Sequence, residues 1–118
     1  MLKEFHGVRQ EPNGRRRWFD GDGLDLMTWY DAQGRLTGFQ LGYDFGAGAH
    51  ALTWGNAGGF AHSLVDEGDS SPLKNESPVL VADGVVPWAE LEAKFAIEGA
   101  GLEPGLRELV TARLAARA

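Results

Sequence analysis

The 118-residue chain predicts an α+β domain: an antiparallel meander of about five strands followed by two C-terminal α-helices packing on one face. Three observations carry this. From Arg16 to about Asp66, short runs rich in aromatic and β-branched residues alternate with Gly and Asp turns. From Pro87 onward the apolar spacing becomes helical. One stretch, LDLMTWYD-AQG-RLTGFQLGYD, reads as a hairpin closed by a short glycine-bearing loop. With 43% apolar residues, the chain has the size and composition of one domain. We divide 1–118 into an N-terminal arm (1–15), an antiparallel sheet (16–86) and the two helices (87–118).

In chain order, Asp20–Gly23 is a turn built from Asp-Gly pairs. The hairpin that follows closes through Ala32–Gly34, with Gly34 left-handed and Asp31 opposite Arg35. Continued without interruption, that register sets Trp29 against Thr37, Met27 against Phe39 and Asp25 against Leu41, with Tyr43 further along the same face. Leu24, Leu26, Tyr30 and Leu36 then populate the other face, and the sheet has two apolar sides. A sheet apolar on both sides needs two covers, so the expectation is a homodimer in which the second face meets a partner copy.

The segment HALTWGNAGGFAHSL, His50–Leu64, is a second hairpin. Two registers are open to it. One sets Leu52 opposite Phe60 and His50 opposite His62; the other sets Trp54 opposite Phe60 and leaves the histidines diagonal. EGDSSPLKNESP, Glu67–Pro78, is long and polar for a connection, and VLVADG, Val79–Gly84, reads as a last strand. Pro87 suits a first helical position, Trp88, Leu91 and Phe95 recur at helical spacing, and Gly99 supplies a stop. Glu103-Pro104 opens a second helix carrying Leu106, Leu109, Val110 and Leu114.

Charge narrows the function classes. Net charge is −6, with residues 1–17 at +3 and the remainder at −9. Such a chain repels phosphate backbones, and Arg15–Arg17 is a small footprint for a nucleic-acid binder, so we read the triplet as a solvated strand edge. No cysteine is present, which removes thiol chemistry, thiolate zinc sites and disulfides. No window reaches the roughly 20 apolar residues of a membrane span, and the N-terminus lacks the apolar run of a signal peptide, so the expected setting is cytoplasmic.

The strings FQLGYD (Phe39–Asp44), HALTW (His50–Trp54), GFAHSLVDEG (Gly59–Gly68) and SPVLVADG (Ser77–Gly84) resemble a family of small uncharacterised bacterial proteins. The resemblance spans nearly the whole chain. It implies a stand-alone bacterial domain and no activity, ligand or catalytic residue.

FDGDGLDLMTWYD is outwardly similar to a calcium loop, but Leu24 falls where a ligand is needed and Asp25 where glycine is. GNAGG lacks the lysine and following helix of a phosphate loop. A divalent metal on His50 and His62 needs a third ligand, and Asp44 supplies it if the FGAGA turn folds back. Ser63 adjoins His62 in a strand and points the other way, which argues against a nucleophilic pair. Nine of the twelve aromatics lie between Trp18 and Phe60. Core packing is their plainest use; a ligand wall would be Trp29, Phe39, Tyr43 and Trp54. The leading expectation is therefore a non-enzymatic, homodimeric binding or protein-interaction module with no catalytic residue and no required cofactor. The alternative is a small metal-dependent or acid/base enzyme using His50, His62 and a nearby Asp.

Overall fold

The computed structural model describes residues 1–7, 10, 14–46, 48–64, 86–116 and the backbone of 81–82. It is an antiparallel sheet in strict sequence order: β1 (Lys3–Phe5), β2 (Arg15–Asp20), β3 (Leu24–Tyr30), β4 (Leu36–Tyr43), β5 (His50–Gly55), β6 (Gly59–Leu64) and a two-residue β7 (Val81–Ala82). Two helices follow, α1 (Trp88–Glu98) and α2 (Pro104–Ala116), joined by a 3₁₀ turn at Gly99–Gly101. The α+β class, the meander and the paired C-terminal helices are as expected, with more strands than five. One of the additional strands, β1, comes from the segment read as an arm. The 67–78 connection lies outside the described residues, as does most of 79–84.

The first hairpin loop forms as its residues dictate. Gly34 is left-handed (φ 81°), and the Asp31 carboxylate accepts the backbone N–H groups of Gln33 and Arg35, both at 2.9 Å. Asp31 N also donates to the Arg35 carbonyl at 2.9 Å. Immediately beyond, the expected register fails. Tyr30 pairs with Leu36, but Trp29 pairs with Gly38, so Thr37 is an extra residue in β4, a β-bulge. Its hydroxyl turns back to the Trp29 carbonyl at 3.3 Å, and its own carbonyl accepts Asn56 N–H at 3.0 Å.

The shift moves every later side chain of β4 to the other face. Leu24, Leu26 and Thr28 now share a side with Phe39, Leu41 and Tyr43, while Asp25, Met27 and Trp29 share the opposite side with Gly38, Gln40 and Gly42. Burial of Phe39, Leu41 and Tyr43 contributes about 1.5–3 kcal/mol each, against about 1 kcal/mol for one irregular ladder hydrogen bond. Packing therefore wins over regular pairing. The expected division of residues between the faces is corrected accordingly: Leu24 and Leu26 share the core side with Phe39, Leu41 and Tyr43, and the second apolar area is formed by Met27 and Trp29 with Trp18 and Phe5.

Both helices cover the apolar side. Leu91 and Phe95 of α1, and Leu106, Val110 and Leu114 of α2, join Phe19, Leu24, Leu26, Phe39, Leu41, Leu52 and Trp54 in one core cluster. Trp88 packs its ring edgewise on Phe60 at 5.2 Å, and the Arg113 guanidinium lies over the Trp54 ring at 4.8 Å. Pro87 is the cap of α1 rather than its first turn, and Gly99 ends it as expected.

Two charged clamps hold the layers together. Arg17, read from sequence as part of a solvated edge, lies instead in an interior strand. Its guanidinium grips both Glu4 oxygens at 2.9 Å, reaches Glu103 at 2.8 Å and donates to the Tyr30 hydroxyl at 3.4 Å. One side chain thus ties β1, β2 and β3 to the start of α2. At the other end, the buried Glu98 carboxylate accepts Asp22 N–H at 3.0 Å and pairs with the Met1 amino group at 3.3 Å; its carbonyl accepts Leu2 N–H at 2.8 Å.

These contacts give two predictions. Among the described residues, the fully buried Thr28 hydroxyl has no hydrogen-bond partner. Thr28→Val keeps the shape and removes the orphan, so urea unfolding should show a gain of about 1 kcal/mol; a lower midpoint would contradict the assignment. Hydrogen bonds hold the Glu4 carboxyl (chiefly from Arg17) and the Glu98 carboxyl (chiefly from Asp22 N–H) below their ordinary values. The unfolded chain therefore takes up these protons first. The stabilisation is complete above the usual glutamate value of about 4.3 and is lost as pH falls below it. Glu98→Gln should flatten the melting temperature's dependence on pH across that acid range, and an unchanged profile would refute the coupling.

Candidate functional site

The β5–β6 hairpin takes the second of its two registers: Trp54 pairs with Phe60, Leu52 with His62 and His50 with Leu64. His50 and His62 are therefore diagonal rather than opposite. Their rings still stack, with centroids 5.5 Å apart and planes 5° from parallel. Tyr43 joins them from β4, its ring nearly parallel to both and its hydroxyl 2.5 Å from His62 Nε2. His50 Nδ1 lies 2.8 Å from the Gly48 carbonyl. A carbonyl only accepts, so this nitrogen carries the hydrogen.

Asp44, the third ligand expected from sequence, does not join them. Its carboxylate accepts Gly46 N–H at 2.8 Å within its own turn, and the residue is exposed. The turn folds back with Phe45 instead, whose ring meets Tyr43 at 4.8 Å and packs on the core. Among the described residues, no group of three or more His, Cys, Asp or Glu side chains is arranged to hold a metal ion.

The aromatic wall divides in the same way. Phe39, Tyr43 and Trp54 share the helix-covered side, almost fully buried, with Phe39 stacked on Trp54 at 5.6 Å. Trp29 faces the opposite side, as the bulge requires, and lies against Gly38, where an added Cβ would come within 3.6 Å of its ring. These four residues do not line one pocket. Three of them are core.

The side of the sheet away from the helices carries a hollow that the sequence reading did not assemble; toward β5 and β6 this side is buried, with Ala51 3% and Ser63 2% exposed. Registers place Lys3, Asp20, Asp25, Gly42, Ala51 and Ser63 in one row across it. Gly42 and Ala51 leave the middle of that row without bulk. The result is a cavity of about 360 Å³ lined, among the described residues, by Asp20, Asp25, Gln40, Gly42, Asp44 and Ala51, with Leu24, Tyr43 and His50 also at its wall. Asp25 leans over Gly42, where any Cβ would collide with its carboxylate, and it accepts the Trp18 indole N–H at 3.1 Å. Gln40 is oriented by Thr53, whose hydroxyl donates to its side-chain carbonyl at 3.1 Å. Three carboxylates thus surround a hollow of small-ligand size, with Lys3 beyond Asp20 as the cation on that row. The signal for this site lies in TGFQLGY, where Gly38, Gln40 and Gly42 alternate with Phe39, Leu41 and Tyr43.

The chain matches no protein-family model, no curated protein and no solved structure. Among the described residues, no helix is long and apolar enough to cross a membrane.

The imidazole geometry is open to a direct check. Nitrogen-15 spectra of the neutral imidazole should show His50 as the Nδ1–H tautomer. A predominant Nε2–H form would remove the Gly48 contact and with it the described ring arrangement.

Proposed function

We propose that this chain is a non-enzymatic binding module that holds a small cationic ligand, one bearing an amino or guanidino group, in the hollow on its open sheet face. One observation carries the reading. Asp20 and Asp25 stand directly opposite each other on neighbouring strands and both line the cavity. Like charges in that relation oppose folding by a few tenths of a kcal/mol to about 1 kcal/mol, and a cation seated between them reverses the sign. Asp44 extends the acceptor set, while the net charge of −6 disfavours anionic ligands.

By register Asp20 and Asp25 project from the side of the sheet opposite His62, but His50 lines the same hollow as Asp20, Asp25 and Asp44, so the acid/base alternative keeps one histidine near carboxylates. Homodimer formation has a new basis in Phe5, Trp18, Met27 and Trp29, which make part of the open side apolar. A second copy is therefore the competing occupant.

Titration of ¹⁵N-labelled protein with putrescine, arginine amide, glucose and inorganic phosphate tests the proposal. Saturable shifts at the Gly21, Gly23, Asp25 and Gly42 amides are expected for the two cationic probes, and Asp25→Asn should abolish them. Saturation by phosphate or glucose alone would overturn the reading. So would concentration-dependent dimerisation in light scattering with shifts centred on Trp18 and Met27.

A further inference from the structure

Three hydrogen bonds run in sequence from α1 into two turns at one end of the sheet. The buried Glu98 carboxylate accepts Asp22 N–H at 3.0 Å in the β2–β3 turn. The next residue, Gly23, offers its carbonyl to Asp44 N–H at 3.3 Å in the β4–β5 turn, and the Asp44 carboxylate accepts Gly46 N–H at 2.8 Å within that turn. We infer that Glu98 is a latch, a positioning residue through which the helix layer holds both turns, so that they open and close as one unit. The latch consists of contacts within the chain and is independent of any ligand. Asp20, Gly21, Gly23 and Asp44 all line the hollow. A group buried at the end of α1 therefore governs the geometry of a site on the side of the sheet away from the helices.

Each step has a local cause. Glu98 is the last residue of α1, and Lys94 lies one turn earlier on the same helix face. A Cβ at Gly23 would meet Lys94 Cε at 3.8 Å, so α1 touches the turn at two places. Gly23 itself is left-handed (φ 74°), a conformation that glycine adopts without strain. At Gly21 an added Cβ would lie 2.8 Å from Glu98 Oε1 and 2.9 Å from the Leu24 carbonyl. Position 21 is thus bare where the carboxylate needs room. A buried carboxylate requires donors, and Asp22 N–H and the Met1 amino group supply them. Without the acceptor, Asp22 N–H loses its partner and the turn loses its tie to α1. Asp44 then depends on a Gly23 carbonyl that is no longer fixed in place.

Amide hydrogen exchange on the ligand-free protein tests the latch, with the Asp31 and Gly34 amides of the first hairpin loop as internal controls. In Glu98→Ala, exchange at Asp22 and Asp44 should accelerate together by at least about tenfold, the scale of one hydrogen bond to a charged acceptor, while Asp31 and Gly34 stay within about twofold. Glu98→Gln keeps a side-chain carbonyl for Asp22 N–H and loses only the charge pairing with the Met1 amino group. It should hold both amides near their original rates. Gly21→Ala leaves Glu98 in place but puts a methyl group into its space, and it should reproduce the Glu98→Ala pattern; if Glu98→Ala does not fold, Gly21→Ala and Glu98→Gln decide the question. Acceleration at Asp22 with Asp44 unchanged would overturn the coupling of the two turns. Equal acceleration at all four amides, or a Glu98→Gln variant as perturbed as Glu98→Ala, would trace the effect to overall stability or to charge and would overturn the latch.

Discussion

The extra residue at Thr37 is the constraint on which the rest of the molecule depends. A sheet covered by helices on one side needs its large apolar side chains on that side. The tight loop at Ala32–Gly34, left to propagate its register, would divide them between both. One bulge corrects β4 as a whole. Gly38 follows it at a point where β4 and β5 approach so closely that an added Cβ would lie 2.7 Å from the Trp54 carbonyl. The anchoring of the Thr37 carbonyl by Asn56 links the bulge to the next turn, so the two hairpins are mutually placed.

The same displacement that assembles the core creates the open face. Once Phe39, Leu41 and Tyr43 turn inward, Gly38, Gln40 and Gly42 turn outward, and the hollow beside Asp25 exists because position 42 has no side chain to occupy it. Core and candidate site are thus two sides of one register. Substitutions at the bulge would be felt in both, although Thr37 itself does not line the cavity.

Charge plays a separate part. Arg17 and Glu98 act at two places where the helices meet the strands and the N-terminal residues. Each is a buried or half-buried group with several partners rather than a solvent-exposed pair. Exposed ion pairs contribute little, but a guanidinium gripping a carboxylate with two parallel bonds is directional and holds β1 against β2. The Tyr43–His50–His62 cluster packs in a comparable way, as three parallel rings at the end of the core beyond Leu41 and Leu52. Its polar atoms bond to one another and to backbone.

The amino-acid sequence by itself determined the α+β class, the meander order, the Asp31–Arg35 loop and the two helical stripes. All of these rest on local periodicity and on turn chemistry that acts within a few residues. It also left two registers open for the His50–His62 hairpin, one of which is found. Alternation within β3 and within β4 was legible separately; which faces coincide was not, because a one-residue bulge leaves no distinctive local mark. That choice is made by the free energy of burying Phe39, Leu41 and Tyr43 under helices that begin 45 or more residues further along the chain. Tertiary packing alone therefore decided that Trp29 leaves the aromatic group, that Arg17 is an interior clamp, and that Asp20, Asp25 and Gln40 come to surround one hollow.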